Sequence, residues 1–189
     1  MPRVSSGRPQ RGSTLTRGYG YGDALHPVKA VVPQAKANRV EYQRDGVTEW
    51  YENGPMGLEQ GYTLAHSPGK AHGQALTVEM ALTGDLVAAL EPGGKVLDLK
   101  RKDGEVVLRY TGLKTRDATG RELPSWLEVR GDRLLVRVHD SGARYPLVVD
   151  PWVQQTELTA SDGAANSRHA HATIPVTTTA GSPPRSPAR

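Results

Sequence analysis

Residues 126–139 read WLEVRGDRLLVRVH, and this stretch decides the fold class of the chain. It holds two runs of alternating apolar residues, Trp126 to Arg130 and Arg133 to His139, separated only by Gly131-Asp132. Alternation at period two is typical of a half-buried strand, and a two-residue loop that contains glycine favours a tight turn. The stretch therefore predicts a β-hairpin.

Similar runs fill the middle of the chain. A second hairpin is predicted for Val96 to Lys100 and Glu105 to Thr111, joined by Lys102-Asp103-Gly104. Turn-forming residues recur about every ten positions through this region, which is the spacing expected of short strands in a sandwich. The best candidate for a helix, Thr83 to Leu90, is short and is closed by Pro92.

We therefore predict an all-β protein, an antiparallel β-sandwich that extends from about Arg39 to Pro151 and need not be complete at its N-terminal edge. Its last strand is predicted to be Leu147 to Val149, an edge strand that Pro151 ends. Residues 1–38, rich in Gly, Pro, Ser and Arg, are predicted to be mostly irregular. Residues 152–189 are predicted to be a linker and a disordered tail.

The positive charge of the chain lies in its flanking segments. The formal charge is +4, but residues 1–38 carry six Lys or Arg against one Asp, and residues 158–189 carry three against one acid. Residues 39–157 carry 15 Lys or Arg against 18 acids. Binding nucleic acid requires a basic face on the folded domain, so this distribution argues against a nucleic-acid partner.

The composition also bears on location and cofactors. The chain has no cysteine, which excludes disulfides, thiolate metal sites and cysteine nucleophiles. It has no apolar run of the roughly 20 residues that a membrane-spanning helix needs, and residues 1–20 lack the apolar stretch of a signal peptide. His169 and His171 could bind a divalent metal only weakly, because they lie in the predicted tail. We expect no cofactor and no metal site.

Three acidic residues, Glu49, Glu52 and Glu59, lie near Trp50 and Tyr51, a composition found in glycoside hydrolases and sugar-binding clefts. In a strand, however, Glu49 and Tyr51 share one face while Trp50 and Glu52 share the other. Solvated surface carboxylates also greatly outnumber catalytic ones. We therefore predict that none of these acids is catalytic.

Two other segments have the composition of a site without its context. His139, Asp140 and Ser141 include each residue type of a hydrolase triad, but triad members converge from separated positions, and three consecutive residues before Gly142 indicate a turn. The segment Gly18 to Gly22 is glycine-rich like a phosphate-binding loop, but no buried strand precedes it and no helix follows. It is predicted to be a flexible turn.

Exposed aromatic side chains are the remaining candidates for a binding site. Trp50, Trp126 and Tyr110 lie within strand runs and are predicted to be in the core. Trp152 and Tyr62 are predicted to be exposed. These two are therefore the candidate ligand-binding residues, for a glycan that would stack on their rings.

Three long stretches together resemble one family: GYGYGDALHPV at 18–28, NRVEYQRDGVTEWYENGPMGLEQGYTL at 38–64, and DATGRELPSWLEVRGDRLLVRVHDSGARYPLVVDPWVQQTELTASDGAA at 117–165. They are similar to the N-terminal domain that precedes FG-GAP (integrin-α-like) propeller repeats in large secreted proteins of bacteria such as myxobacteria. The resemblance implies an extracellular or cell-surface β-rich module of no known activity. Two features of the family's pattern are missing, a signal peptide before the domain and the first propeller repeat after Asn166. A gene fragment or frame-disrupted product is therefore one interpretation.

The sequence thus predicts a non-enzymatic structural or spacer module that presents neighbouring repeats outside the cell. Its partners would be adjacent domains or cell-surface components. An alternative is a carbohydrate- or surface-binding module that uses exposed Trp and Tyr. A weaker alternative is a glycoside hydrolase-like enzyme that uses Glu49 or Glu52.

Overall fold

The computed structural model of the protein describes residues 13–54 and 57–155. Within these ranges the chain forms β-strands and no helix, so the predicted all-β class is confirmed. The strands are β1 Ser13–Tyr21, β2 Ala24–Pro27, β3 Gln34–Lys36, β4 Arg39–Arg44, β5 Val47–Gly54, β6 Gly57–Leu64, β7 Leu76–Thr83, β8 Val87–Leu90, β9 Leu97–Lys100, β10 Val106–Arg116, β11 Ser125–Arg130, β12 Arg133–Val138 and β13 Leu147–Gln155.

These strands form two antiparallel sheets. The five-stranded sheet has the order β11-β12-β7-β1-β2, and the eight-stranded sheet has the order β3-β4-β5-β6-β13-β10-β9-β8. Both predicted hairpins are confirmed, since β11 pairs with β12 and β9 pairs with β10. Within Thr83 to Leu90, where the sequence shows no convincing helical pattern, Val87–Leu90 forms the edge strand β8.

The core consists of apolar side chains from the inner faces of both sheets. From the five-stranded sheet, Leu76, Val78, Met80, Leu134 and Val136 are at most 1% exposed. Residues of the eight-stranded sheet pack in the same cluster, among them Leu64, Leu97, Leu99, Leu147 and Val149. Complete burial of each such side chain contributes about 1.5–3 kcal/mol relative to exposure. The core therefore spans both sheets and makes them one packed unit.

The prediction that residues 1–38 are mostly irregular is wrong for β1, which lies between β7 and β2 inside the five-stranded sheet. The segment Gly18 to Gly22, predicted to be a flexible turn, forms the end of this strand and the start of the turn that follows. Gly18 and Gly20 are required by the close approach of β2. A Cβ on Gly20 would lie 2.2 Å from the backbone oxygen of Ala24.

The prediction that the last strand is an edge strand ended by Pro151 is also wrong. β13 runs to Gln155 and lies between β6 and β10 in the middle of the eight-stranded sheet. Pro151 cannot donate a ladder hydrogen bond, and the register with β10 shifts between Thr111 and Lys114 at this point. This bulge allows a proline in a central strand. Residues 156–189, which include most of the predicted tail, lie outside the described residues.

Candidate functional site

Glu49 lies on the inner face of β5 and is only 4% exposed, so it is not a solvated surface carboxylate. Its Oε1 accepts hydrogen bonds from the Thr16 hydroxyl at 2.8 Å, the Tyr51 hydroxyl at 2.8 Å and the Gln60 amide at 3.1 Å. Its Oε2 accepts from the Arg44 guanidinium at 2.9 Å. These donors satisfy the hydrogen-bonding capacity of a buried carboxylate and neutralise its charge.

Gln60 extends these contacts across the core. Its amide nitrogen lies 3.0 Å from the Tyr62 hydroxyl, and its oxygen accepts from the Tyr110 hydroxyl at 3.2 Å. The Tyr110 hydroxyl also lies 3.1 Å from the Thr14 hydroxyl. We call this set the Glu49 network; its members are Thr14, Thr16, Arg44, Glu49, Tyr51, Gln60, Tyr62 and Tyr110. Through Thr14 and Thr16 it joins β1 of the smaller sheet to four strands of the larger one.

Burial raises the pKa of each tyrosine in the Glu49 network, with the charge of Glu49 adding to the effect. The pKa of Tyr110 is raised to about 12, and the pKa values of Tyr51 and Tyr62 are raised well above their usual range. All three hydroxyls therefore stay protonated at neutral pH. A general acid or base must reach a substrate proton, whereas Glu49 is enclosed by its own donors. The Glu49 network thus has the properties of a structural link between sheets.

Of the two residues predicted to bind a ligand, Tyr62 and Trp152, the structure describes the side chain of Tyr62 only. Tyr62 is 0% exposed, so the prediction that it is exposed is wrong. It follows Gly61 on β6 and alternation turns its ring toward the core, where Thr16 and Gln60 bind its hydroxyl. Trp152 lies in β13, with its backbone opposite Glu59 and Thr111, and its side chain lies outside the described part of the structure.

Asp140 and Ser141 belong to a turn that the hydrogen bond from the Ala143 N–H to the Asp140 carbonyl closes, and His139 precedes this turn. The Asp140 carboxylate accepts hydrogen bonds from the hydroxyls of Tyr21 at 2.5 Å and Tyr145 at 2.6 Å, both on Oδ2. His139 is exposed, and its ring centroid lies 5.0 Å from that of Trp126. The Asp140 carboxylate is therefore hydrogen-bonded to one tyrosine at the end of β1 and to another in the segment before β13.

Asp117 is a further buried carboxylate that sequence reasoning missed. One of its oxygens accepts from the Thr119 hydroxyl at 2.6 Å and from the backbone N–H groups of Thr119 and Arg121. The other accepts from the backbone N–H of Arg144 at 3.3 Å. Bonds from Thr119 and from these backbone groups hold the pKa of Asp117 well below its usual range. The run Asp117-Ala-Thr-Gly120 is a turn pattern that could have indicated this role.

An acidic cluster lies on the outer face of the eight-stranded sheet, which is the face turned away from the five-stranded sheet. Glu52 of β5 is directly opposite Glu59 of β6, and Asp150 of β13 is level with Gly61 of β6. Burial and the charges of Asp150 and Glu52 raise the pKa of Glu59. Burial raises the pKa of Asp150 as well. The positive charge of Arg116 lowers this pKa, and the negative charge of Glu52 raises it. Raised pKa values are expected for carboxylates that are partly buried and lie near other acids, as Glu59 and Asp150 do.

Trp50 is next to this cluster. It was predicted to be in the core and is only 5% exposed, yet alternation with Glu49 and Tyr51 places it on the outer face. It lies opposite Gly61, where a Cβ would meet its Cζ2 atom at 2.1 Å. The Arg39 guanidinium carbon lies 4.3 Å from the centroid of its ring. Trp50 is thus covered by Arg39 and lies against the backbone of Gly61.

The described residues contain no group of three His, Asp or Glu side chains able to hold a metal ion. His169 and His171 lie outside those residues. None of the structure that is described forms a helix long and apolar enough to cross a membrane. Comparisons with family models, curated proteins and solved structures found no match to this chain.

Proposed function

We propose that this protein is a non-enzymatic structural module that spaces neighbouring domains at the exterior of a bacterial cell. The observation that carries the proposal is the Glu49 network, in which the most suggestive acid of the sequence is enclosed by four donors. Asp140 and Asp117 are bound in the same way by groups of their own chain. In each case the carboxylate stabilises a contact between distant segments.

A spacer must transmit position between the domains on either side of it, and this requires sheets that do not slide. Apolar packing alone is non-directional and specifies sheet position weakly. Directed hydrogen bonds between buried polar groups fix one arrangement, because any other leaves buried donors and acceptors unpaired. The bonds of Thr16 to Glu49 and Tyr62 are of this kind, because they cross between the two sheets.

The extracellular location rests on the resemblance to modules that precede FG-GAP repeats. The partners that this implies are adjacent domains or cell-surface components. Labelling intact cells with a membrane-impermeant reagent tests the location of the native protein. Labelling without lysis is expected, and labelling only after lysis would contradict the proposal.

The absence of catalysis is tested by turnover assays. Wild-type protein and Glu49→Gln are incubated with a panel of polysaccharides, and released reducing ends are measured. We expect no release above the protein-free blank for either protein. Release by the wild type above the blank would overturn the proposal, and the activity would be assigned to Glu49 only if a Glu49→Gln variant that circular dichroism shows to be folded lacks it. Glu91→Gln, a change at an exposed residue, is the matched control.

A further inference from the structure

We propose that Trp50, Glu59 and Asp150 form a binding site for a neutral saccharide on the outer face of the eight-stranded sheet. The site is centred on Gly61, whose missing side chain leaves room for the Trp50 ring. Trp50 lies on one side of Gly61 in β5, and Asp150 lies level with it in β13. This proposal is independent of the spacer function, since a spacer can also bind a sugar.

Two buried polar atoms near Gly61 lack a hydrogen-bond partner among the described residues. They are the indole Nε1 of Trp50 and the Oδ1 of Asp150. Buried polar atoms are normally paired, and each unpaired one costs about 1–3 kcal/mol. The indole atom Cε2, which carries Nε1, lies 2.5 Å from the point where a Gly61 Cβ would stand. The unpaired N–H is therefore on the edge of the ring that lies over Gly61.

The chemistry of these atoms selects the ligand. An indole N–H only donates and an ionised carboxylate only accepts, so the ligand must both accept and donate within a short distance. A hydroxyl group does both, whereas an ammonium group has no acceptor. A metal ion is disfavoured too, because the described residues offer no group of metal-ligating side chains. Neighbouring hydroxyls of a sugar ring could bind Trp50, Asp150 and Glu59 together.

The charge of the site favours neutral sugars over acidic ones. Glu52 lies directly opposite Glu59, Asp150 lies in the neighbouring strand, and burial together with the charges of Asp150 and Glu52 raises the pKa of Glu59. An acidic sugar would add a further negative charge to this cluster, which is unfavourable at short distance. A neutral saccharide adds none, so the site should prefer neutral polysaccharides to uronic acid polymers.

Arg39 covers one face of the Trp50 ring in the present structure, and because the unpaired atoms of Trp50 and Asp150 are themselves enclosed, binding requires the side chains over them to move. Its guanidinium stacks on the Trp50 ring and forms ion pairs with Glu41 at 2.7 Å and Glu52 at 3.2 Å. The Arg39 side chain is 33% exposed, and ion pairs that are this accessible contribute about 0–1 kcal/mol. A sugar ring can therefore replace the guanidinium on the indole face at a small cost. Replacing Arg39 with alanine should uncover the ring.

Affinity electrophoresis of the full chain tests the proposal, with gels that contain dextran, pullulan, laminarin, galactomannan or polygalacturonate. We expect retardation by at least one neutral polymer and none by polygalacturonate. Trp50→Phe keeps a ring but loses the N–H, and Asp150→Asn keeps the shape but loses the charge. Each is expected to weaken binding about tenfold. Arg39→Ala is expected to strengthen it severalfold. Trp126→Phe, at a tryptophan of the other sheet, is the matched control and should bind like wild type.

Three outcomes would overturn the proposal. One is that neither wild type nor Arg39→Ala is retarded by any neutral polymer. Another is that retardation is the same in Trp50→Phe and Asp150→Asn as in wild type. The third is that polygalacturonate retards the protein as strongly as the neutral polymers do. Circular dichroism of each variant shows whether a loss of binding comes from a loss of folding. Trp50→Phe and Asp150→Asn change different strands, β5 and β13, so a defect confined to one strand would not explain a loss of binding in both.

Discussion

The hydroxyl of Tyr21 lies 2.5 Å from the carboxylate of Asp140, although the two residues are 119 positions apart. Tyr21 ends the first strand of the smaller sheet, and Asp140 follows β12. Tyr145 donates to the same carboxylate oxygen at 2.6 Å. This contact therefore joins β1 to the segment that leads into β13, at a place where no ladder hydrogen bond could do so.

Tyr21→Phe removes this hydroxyl and leaves a buried carboxylate with one donor fewer. We expect the free energy of unfolding to fall by about 1–3 kcal/mol, as measured by urea denaturation followed by fluorescence. Tyr19→Phe is the control, because the Tyr19 hydroxyl donates to Asp45 at an exposed position. Equal effects of the two changes would contradict a stabilising role for Asp140.

Glu49→Gln is expected to destabilise the fold strongly, although it is a conservative change. It removes the charge that pairs with Arg44, whose side chain is 10% exposed, and introduces an NH₂ group among donors. Breaking one partner of a buried pair costs about 3–5 kcal/mol. Urea denaturation should show a lower midpoint for Glu49→Gln and an unchanged midpoint for Glu91→Gln. A loss below about 1 kcal/mol would show that the Glu49 network contributes little.

Substitutions at the glycines of β1 test the close contact with β2. Gly20→Ala places a Cβ 2.2 Å from the Ala24 oxygen, whereas in Gly18→Ala the nearest atom, the His26 oxygen, is at 2.8 Å. We expect both variants to be less stable than wild type, Gly20→Ala by about 1–3 kcal/mol and Gly18→Ala by less. Midpoints of thermal unfolding show which of the two variants is less stable. The reverse order would show that β2 moves away easily from Gly20.

Asp117 is expected to make stability depend on pH in the acid range. Its pKa in the folded protein is lowered, chiefly by the Thr119 hydroxyl, so its contribution is fully present above the unfolded value of about 3.9. That contribution is lost as the pH falls through the lower folded value. Asp117→Asn should therefore reduce stability at pH 7 and make the loss on acidification smaller. Urea midpoints from about pH 7 to pH 2 measure this. Asp85→Asn, at an aspartate whose side chain is 86% exposed, should follow the wild-type curve.

The hairpins of this fold could be predicted because their signals are local. Alternation and a glycine turn within 14 residues define β11 and β12. β1 could not be found in this way, because its glycines are typical of turns and only the approach of β2 shows why they are needed. The role of Glu49 was hidden for a related reason. Alternation assigns it the same face as Tyr51, but only the packing of β1 shows that this face is the core.

The central position of β13 has a consequence for the order of folding. The eight-stranded sheet consists of two sets of sequential antiparallel neighbours, β3 to β6 and β8 to β10, and only β13 pairs with both. Each set can form from local contacts as the polypeptide emerges from the ribosome, but the two cannot join until the last described strand has been made. Nascent chains that stop before β13 should therefore stay sensitive to protease, and resistance should arise in one late step.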